Sequence, residues 1–249
     1  MEDAICRAWR LTPDQLAIVV AGRTDAGVHA SGQVCHLDID SEAWEKLEPR
    51  GVDHLLRRAR GALGRTGAVV LHSLSRAPEG FDARFSPLGR RYQYRIADAA
   101  ARHDPRTRHF TVWLDELLDV AAMNTLGHDL LGLRDFASFC RARPGATTIR
   151  TLEQFSWERG ADGVLVATVQ ADAFCHSMVR SLVGAAVAVG RGQRTRDDIL
   201  AVVASKKRES LWKTMPAHGL TLESVLYPVP DQLAARADAT RALRTAPSD

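Results

Sequence analysis

Hydrophobic and polar positions along this chain alternate between the spacing of strands and the spacing of helices. Apolar or alternating runs predict strands over residues 16–21, 33–39, 68–74, 90–96, 152–158, 164–170 and 222–227. Apolar stripes predict helices over residues 2–10, 52–63, 115–131, 175–189 and 196–205. Because strands and helices recur in two mixed rounds, the order favours an α+β fold of two similar halves.

Local signals define the ends of several of these elements. An Asp162-Gly163 turn predicts a hairpin between residues 152–158 and 164–170. Thr195 with Asp198 three residues later forms a capping box for the helix over residues 196–205. We expect an N-terminal half over residues 1–80, a C-terminal half over 81–230 and a loosely ordered Ala/Arg-rich tail over 231–249.

Composition narrows the class of protein. A chain of 249 residues with 45% hydrophobic content can bury a substantial core. No apolar run reaches membrane-spanning length and the first residues are acidic, so a soluble, cytoplasmic protein is expected. The four cysteines have neither metal-ligand nor disulfide-framework spacing, which favours reduced thiols and no metal. They are Cys6, Cys35, Cys140 and Cys175.

Positive charge is concentrated in one segment, although the formal net charge is only +3. The segment between residues 84 and 108 contains seven arginines and only two acidic residues, Asp98 and Asp104. Such a cluster suits a phosphate backbone, and the alternative is an ordinary solvated face. The arginines are Arg84, Arg90, Arg91, Arg95, Arg102, Arg106 and Arg108.

The segment over residues 22–30 carries the strongest chemical signal. The strand predicted over residues 16–21 is followed by a turn, in which Gly22 and Gly27 flank the charged residues Arg23 and Asp25. Glycine lets a ligand approach the backbone closely, so Asp25 is a candidate nucleophile or general base. An ordinary loop in which Asp25 caps the next segment remains the alternative for this turn alone.

This segment resembles the active-site signature of the tRNA pseudouridine synthase A family, and the resemblance continues in the family's order along the chain. Four further blocks match, over residues 81–96, 135–139, 173–184 and 219–222. Together they span most of residues 5–227. The resemblance implies a pseudouridine synthase fold, with a mixed, mainly antiparallel sheet, flanking helices and an active-site cleft between the halves.

The resemblance also implies roles for individual residues. Asp25 is expected to act as nucleophile, with Arg180 as the cation that keeps it ionised and Tyr92 stacking on the target base or moving a proton. Arg23 is expected to fill the space of a flipped-out nucleotide. From the residues alone, Tyr92 could be a core aromatic, Arg180 a helix residue reaching water, and Arg23 a salt-bridge partner of Asp25. Expected substrate-binding residues are Tyr92, Arg23, Thr24, His29, Arg84, Arg90 and Arg91.

The family acts on uridines at positions 38 to 40 of the tRNA anticodon stem-loop, as a homodimer and without a cofactor or metal, so the same is expected here. One departure is that the family opens with a strand carrying Tyr-Asp-Gly, which we expect this chain to lack. Two alternatives stay open. They are a tRNA-binding or chaperone-like paralogue without turnover, and a hydrolase using Asp25 with Asp38 or Asp40.

Overall fold

The computed structural model describes residues 1–64, 67–141, 147–207 and 211–241. Its helices are α1 (Glu2–Trp9), α2 (Ser41–Leu47), α3 (Val52–Leu63), α4 (Val120–Asp129), α5 (Met178–Gly190), α6 (Arg196–Ser205) and α7 (Leu233–Arg241). Its strands are β1 (Leu16–Val20), β2 (His29–Ala30), β3 (Cys35–Ile39), β4 (Gly89–Ala97), β5 (Val112–Trp113), β6 (Gly132–Asp135), β7 (Ile149–Arg159), β8 (Leu165–Ala171) and β9 (Leu220–Leu226).

The N-terminal part is a small unit in which two antiparallel strands, β1 and β3, pack against α1 and α3. The apolar stripe of α3 buries Leu55 against Ile5 and Trp9 of α1. The indole Nε1 of Trp9 donates to the carbonyl of Leu55 at 3.0 Å. Helix packing and this hydrogen bond therefore fix α1 on α3, and both helices support the strand that leads to residue 22.

The larger sheet has seven strands in the order β2-β9-β4-β8-β7-β6, with β5 beside β4. The β2–β9 and β4–β5 pairs are parallel, and the other pairs are antiparallel. The predicted α+β class with a mixed, mainly antiparallel sheet is thus confirmed. The two sheets differ in size, two strands against seven, and β2 crosses from the N-terminal part into the larger sheet.

Helix α5 lies within the main core and is mostly apolar, and every residue of it except Arg180 is buried. Gly184 lets the chain at Lys213 pass directly over it. A Cβ at Gly184 would stand 2.1 Å from the carbonyl oxygen of Lys213. The residues after α6 are thereby held against α5, close to its first turn.

Three expected elements differ from the structure. Residues 68–74 form no strand, because Arg60 rather than a neighbouring strand binds the carbonyls of Leu71 and His72. A cavity of about 650 Å³ lies between this segment and the small sheet. The helix expected over residues 115–131 begins at Val120, where the Asp119 carboxylate accepts from the backbone of Ala122. The described part of the tail forms α7, contrary to the expected loose order.

The start of α5 is also later than expected. Ser177 has φ +65°, in the left-handed region, so the helix begins at Met178 rather than at residue 175. The preceding residues turn back toward the cleft instead of continuing the helical stripe. No helix among the described residues is long and apolar enough to span a membrane.

Candidate active site

The loop over residues 22–28, called here the Asp25 loop, joins the two sheets. It leaves β1 of the small sheet and enters β2, which pairs with β9 of the larger sheet. Gln33 fixes its start by donating to the carbonyl of Gly22 at 2.8 Å. Gly27 has φ +82°, which favours glycine at that turn. The loop therefore presents Asp25 into a cleft of about 560 Å³ between the sheets.

The Asp25 carboxylate is held by three side chains from the segment at the start of α5. Its Oδ2 accepts from Arg180 Nη2 at 2.7 Å and Nε at 3.1 Å, and from Ser177 Oγ at 3.4 Å. Its Oδ1 lies 3.3 Å from His176 Nε2. The contact with the Arg180 guanidinium is a charge-assisted hydrogen bond, which is stronger than one between neutral groups and holds the carboxylate in place. Asp25 does not cap the next segment through its side chain.

Arg180 is itself fixed in place. Its Nη1 donates to the carbonyl of Met215 at 3.1 Å, and the amide of Met215 donates back to the carbonyl of Arg180. Its Nη2 is also within 3.2 Å of Ser177 Oγ. The side chain thus points into the cleft and not along the helix toward water, which was the alternative interpretation of this residue.

Tyr92 lies on β4 and lines the same cleft. Its ring meets Phe174 edge to face, with centroids 5.2 Å apart. Burial raises the pKa of Tyr92 to about 12, the charge of Asp25 acts in the same direction, and the charge of Arg90 opposes both. Tyr92 therefore remains a neutral hydroxyl at physiological pH and can donate a hydrogen bond, although it is also 8% exposed and part of the core.

Arg90 is not free to bind phosphate, which corrects the expectation for this residue. It is 9% exposed, and its guanidinium donates to the carbonyls of Ala21, Arg84 and Asp172 at 2.9, 2.9 and 3.1 Å. Burial lowers its pKa from the usual value. These bonds tie the end of β1 to β4, so Arg90 shapes the cleft and does not line it as an open charge.

The other expected substrate-binding residues fall into two groups. Arg23, Thr24 and Arg84 line the cleft. Arg23 makes no ion pair with Asp25, whose side-chain neighbours in the described chain include the guanidinium of Arg180 and the imidazole of His176.

The second group lies at the surface. Arg91 is exposed and its Nε donates to Gln170 at 2.8 Å, on the sheet face opposite Tyr92. His29 is exposed in β2, with its Nε2 2.6 Å from the carbonyl of His109. Both are therefore open to solvent, but neither touches Asp25.

Sequence reasoning missed His176 and Ser177 as contacts of Asp25. His176 precedes Arg180 by four residues, within the matched block over residues 173–184, in which only Arg180 was given a role. Four residues is one helical turn, so two polar groups at this spacing in an apolar segment could have been noticed as one cluster. The spacing could not show that Ser177, which lies between them, has a left-handed backbone conformation.

The same segment corrects the expectation that all four thiols are reduced. Cys140 and Cys175 are joined as a disulfide, with Cα atoms 5.7 Å apart, while Cys6 and Cys35 are free. The pairing arises because the chain at residue 141 runs beside the segment before α5, where the amide of Arg141 donates to the carbonyl of His176 at 3.1 Å. This proximity has no signature in cysteine spacing.

Comparison with known proteins agrees with the geometry. The family model described as tRNA pseudouridine synthase matches residues 128–228. A tRNA pseudouridine synthase A of Leifsonia xyli is 51% identical, covering 98% of this chain and 88% of the relative. Those of Streptomyces avermitilis and Mycobacterium leprae are 48% and 46% identical, covering 100% and 98% of this chain and 85% and 86% of the relatives.

The two-sheet α+β fold holds an ion-paired aspartate in the cleft between its sheets, an arrangement that an enzyme with a carboxylate nucleophile could use. The relatives extend this to a family: the chain belongs to the tRNA pseudouridine synthase A family.

Proposed function

We propose that this chain isomerises uridine to pseudouridine in the anticodon stem-loop of tRNA, at positions 38 to 40. The observation that carries the proposal is the Asp25 carboxylate, held in the cleft by Arg180 and His176 beside the buried hydroxyl of Tyr92. The names of the relatives support the tRNA substrate. A paired uridine cannot reach such a cleft from inside a helix, so the base must be flipped out.

The chemistry needs a nucleophile and proton transfer but no change of oxidation state. Asp25 forms a covalent bond either to the ribose anomeric carbon or to the uracil ring. The bond between N1 and the anomeric carbon breaks, the bond from C5 to that carbon forms, and the bond to Asp25 is released. C5 loses a proton and N1 gains one, so product and substrate are isomers and no cofactor is consumed.

The cleft residues divide this work between them. Arg180 pairs with Asp25 and holds it in the cleft, and Tyr92 offers an apolar ring face and a neutral hydroxyl to the base. Arg23, Thr24 and Arg84 lie where a flipped nucleotide and its phosphates would enter. We assign Arg23 to the space that the nucleotide leaves.

The hydrolase alternative has no support from geometry. Asp40 caps α2 by accepting from the amides of Glu42 and Ala43, and Asp38 lies beside His36. Neither residue lines the cleft with Asp25. Among the described residues, Asp25 therefore has neither Asp38 nor Asp40 beside it as a second carboxylate.

Asp25→Asn tests the proposal directly. The change keeps the shape of the side chain and removes the charge, so turnover should fall to background while tRNA affinity changes little. Release of tritium from tRNA labelled at uridine C5 measures turnover, and filter binding measures affinity. Asp38→Asn is the matched control and should remain active. Pseudouridine formed by Asp25→Asn would remove Asp25 as the nucleophile.

The same assay separates the enzyme from a binding module that has lost turnover. Wild-type protein that binds tRNA without releasing tritium would favour the paralogue. Mapping of the modified positions tests the anticodon stem-loop assignment, since product elsewhere in the tRNA would place the chain in another specificity group.

We also propose a homodimer acting in the cytoplasm. Symmetric pairing of two copies would let one subunit position the tRNA while the other modifies it. Sedimentation equilibrium of the free protein should give twice the mass of one chain. A single-chain mass at all concentrations, with full activity, would contradict the dimer.

A further inference from the structure

The two oxygens of the Asp25 carboxylate are held unequally. All contacts from Arg180 and Ser177 go to Oδ2, while Oδ1 has His176 as its neighbour among the described contacts. Both nitrogens of Arg180 bind the same oxygen, so they locate Oδ2 but do not fix how the carboxylate turns about it. The terminal torsion of an aspartate is broad, so rotation needs a second point of contact.

We infer that His176 is a positioning residue, which fixes the direction of Oδ1 and makes it the oxygen that Asp25 presents to the substrate. The inference rests on the proposed function. Oδ2 already has three donors within 3.4 Å and little lone-pair density left to react. Oδ1 has one partner, so it is the more available nucleophilic atom.

His176 can serve as a fixed reference because the backbone around it is held on both sides. The carbonyl of His176 accepts from the amide of Arg141, and the amide of Met178 donates to the carbonyl of Cys175. Cys175 is further joined to Cys140. The left-handed turn at Ser177 then directs the next residues into α5, on which Arg180 lies one turn away. His176 and Arg180 therefore have a set separation.

His176 acts on Oδ1 through Nε2, the ring nitrogen that lies 3.3 Å from this oxygen. A proton on Nε2 would point at Oδ1 and orient it. Orientation of the reacting atom, rather than tRNA binding, is then the contribution lost when His176 is replaced.

The test compares His176→Leu with His176→Gln, using tritium release from tRNA and thermal unfolding. The amide nitrogen of glutamine can take the place of Nε2 as a donor, whereas leucine fills the space without a hydrogen bond. We expect His176→Leu to lower kcat roughly 10- to 100-fold with KM unchanged, and His176→Gln to recover most of the loss. The control is His128→Gln on α4, where the side chain is 85% exposed, and it should match wild type.

Full activity of His176→Leu would overturn the inference. So would an equal loss in both variants accompanied by an equal drop in melting temperature, because that pattern marks a purely structural residue. A rise in KM at constant kcat would instead make His176 a substrate-binding residue and overturn the positioning role. Wild-type protein that forms no pseudouridine would overturn the proposed function, and this inference with it.

Discussion

Two neighbouring arginines on β4 use their charge in opposite ways. Arg90 is buried and binds three backbone carbonyls, whereas Arg91 is exposed at the sheet surface. A count of arginines along the sequence could not separate them. Strand alternation could have done so, because Arg90 lies two residues before Tyr92 and thus shares its buried face.

Replacing each of these arginines by glutamine should give different defects. Arg91→Gln removes an exposed charge, so the slope of log binding constant against log salt should flatten by about one unit if Arg91 contacts phosphate. Arg90→Gln leaves buried carbonyls without a charged donor, which we expect to cost about 3 kcal/mol of unfolding free energy.

Chemical denaturation and salt-dependent tRNA binding measure the two effects. An Arg90→Gln variant that unfolds like wild type but binds tRNA with a flatter salt slope would return Arg90 to the phosphate contacts. An unchanged slope for Arg91→Gln would make that residue part of a solvated face.

At the scale of elements, the sequence predicted those that carry their own signals. Helix α3 runs over the predicted residues 52–63, and α6 begins after its Thr195 capping box as expected. The β7–β8 hairpin was predicted from its turn, where Gly163 has φ +81°. The prediction of a strand over residues 68–74 was wrong because an apolar run does not show whether a partner strand is present. The predicted start of α5 was wrong because the left-handed conformation of Ser177 sets where the helix begins.

Asp98, after the end of β4, should be a strong anchor for the elements around it. It is fully buried, pairs through both oxygens with Arg159 at the end of β7, and accepts from the amides of Ala100 and Leu118. Asp98→Ala should lower the unfolding free energy by about 3 kcal/mol, because these donors lose their acceptor. Asp104→Ala, which removes an exposed pair with Arg106, should leave it close to wild type.

Urea denaturation of the two variants decides the point, and equal unfolding free energies would show that the Asp98 pair contributes nothing.

The stability that Asp98 contributes depends on pH with a definite sign. The hydrogen bonds from Arg159 hold the pKa of Asp98 below its usual value of 3.8. Its contribution is therefore present above that value and lost as the pH falls through the lowered pKa.

For the whole molecule, the α+β class followed from the order of elements and the type of sheet from the family resemblance, but the route of the chain followed from neither. Nothing in the sequence shows that the two residues of β2 leave the small sheet to pair with β9. The candidate nucleophile Asp25 and its partner Arg180 were named from motif blocks. Their contact depends on this long-range route, as does the contact with His176, and local patterns carry no information on it.

Alkaline titration of the tyrosines should report whether the whole fold is intact, since burial raises the pKa of all three tyrosines. Burial raises the pKa of Tyr92 to about 12 and moves those of Tyr94 and Tyr227 in the same direction, from an ordinary value of 10.0. Raised values in the folded state mean that their contribution to stability is complete below pH 10 and is lost as the pH rises further.

Tyrosinate absorbance and circular dichroism should consequently change together, well above pH 10. The reference is the same titration of protein that denaturant has already unfolded, because its exposed tyrosines should ionise near their ordinary pKa of 10.0. Tyrosinate that forms at about pH 10 with the circular dichroism unchanged would show that the rings are accessible in the folded protein.

The Asp25 loop has a mechanical consequence. One end is set by the small sheet through β1 and the other by the larger sheet through β2, so the loop tethers the two sheets to each other. Beside the first residue of the loop, Arg90 on β4 also joins the sheets by donating to the carbonyl of Ala21. We expect any movement that spreads the sheets to pull on the loop and draw Asp25 away from Arg180. The separation of the two sheets and the direction of the Asp25 carboxylate are thus coupled, so we expect a ligand that moves the sheets apart to displace Asp25 from Arg180 as well.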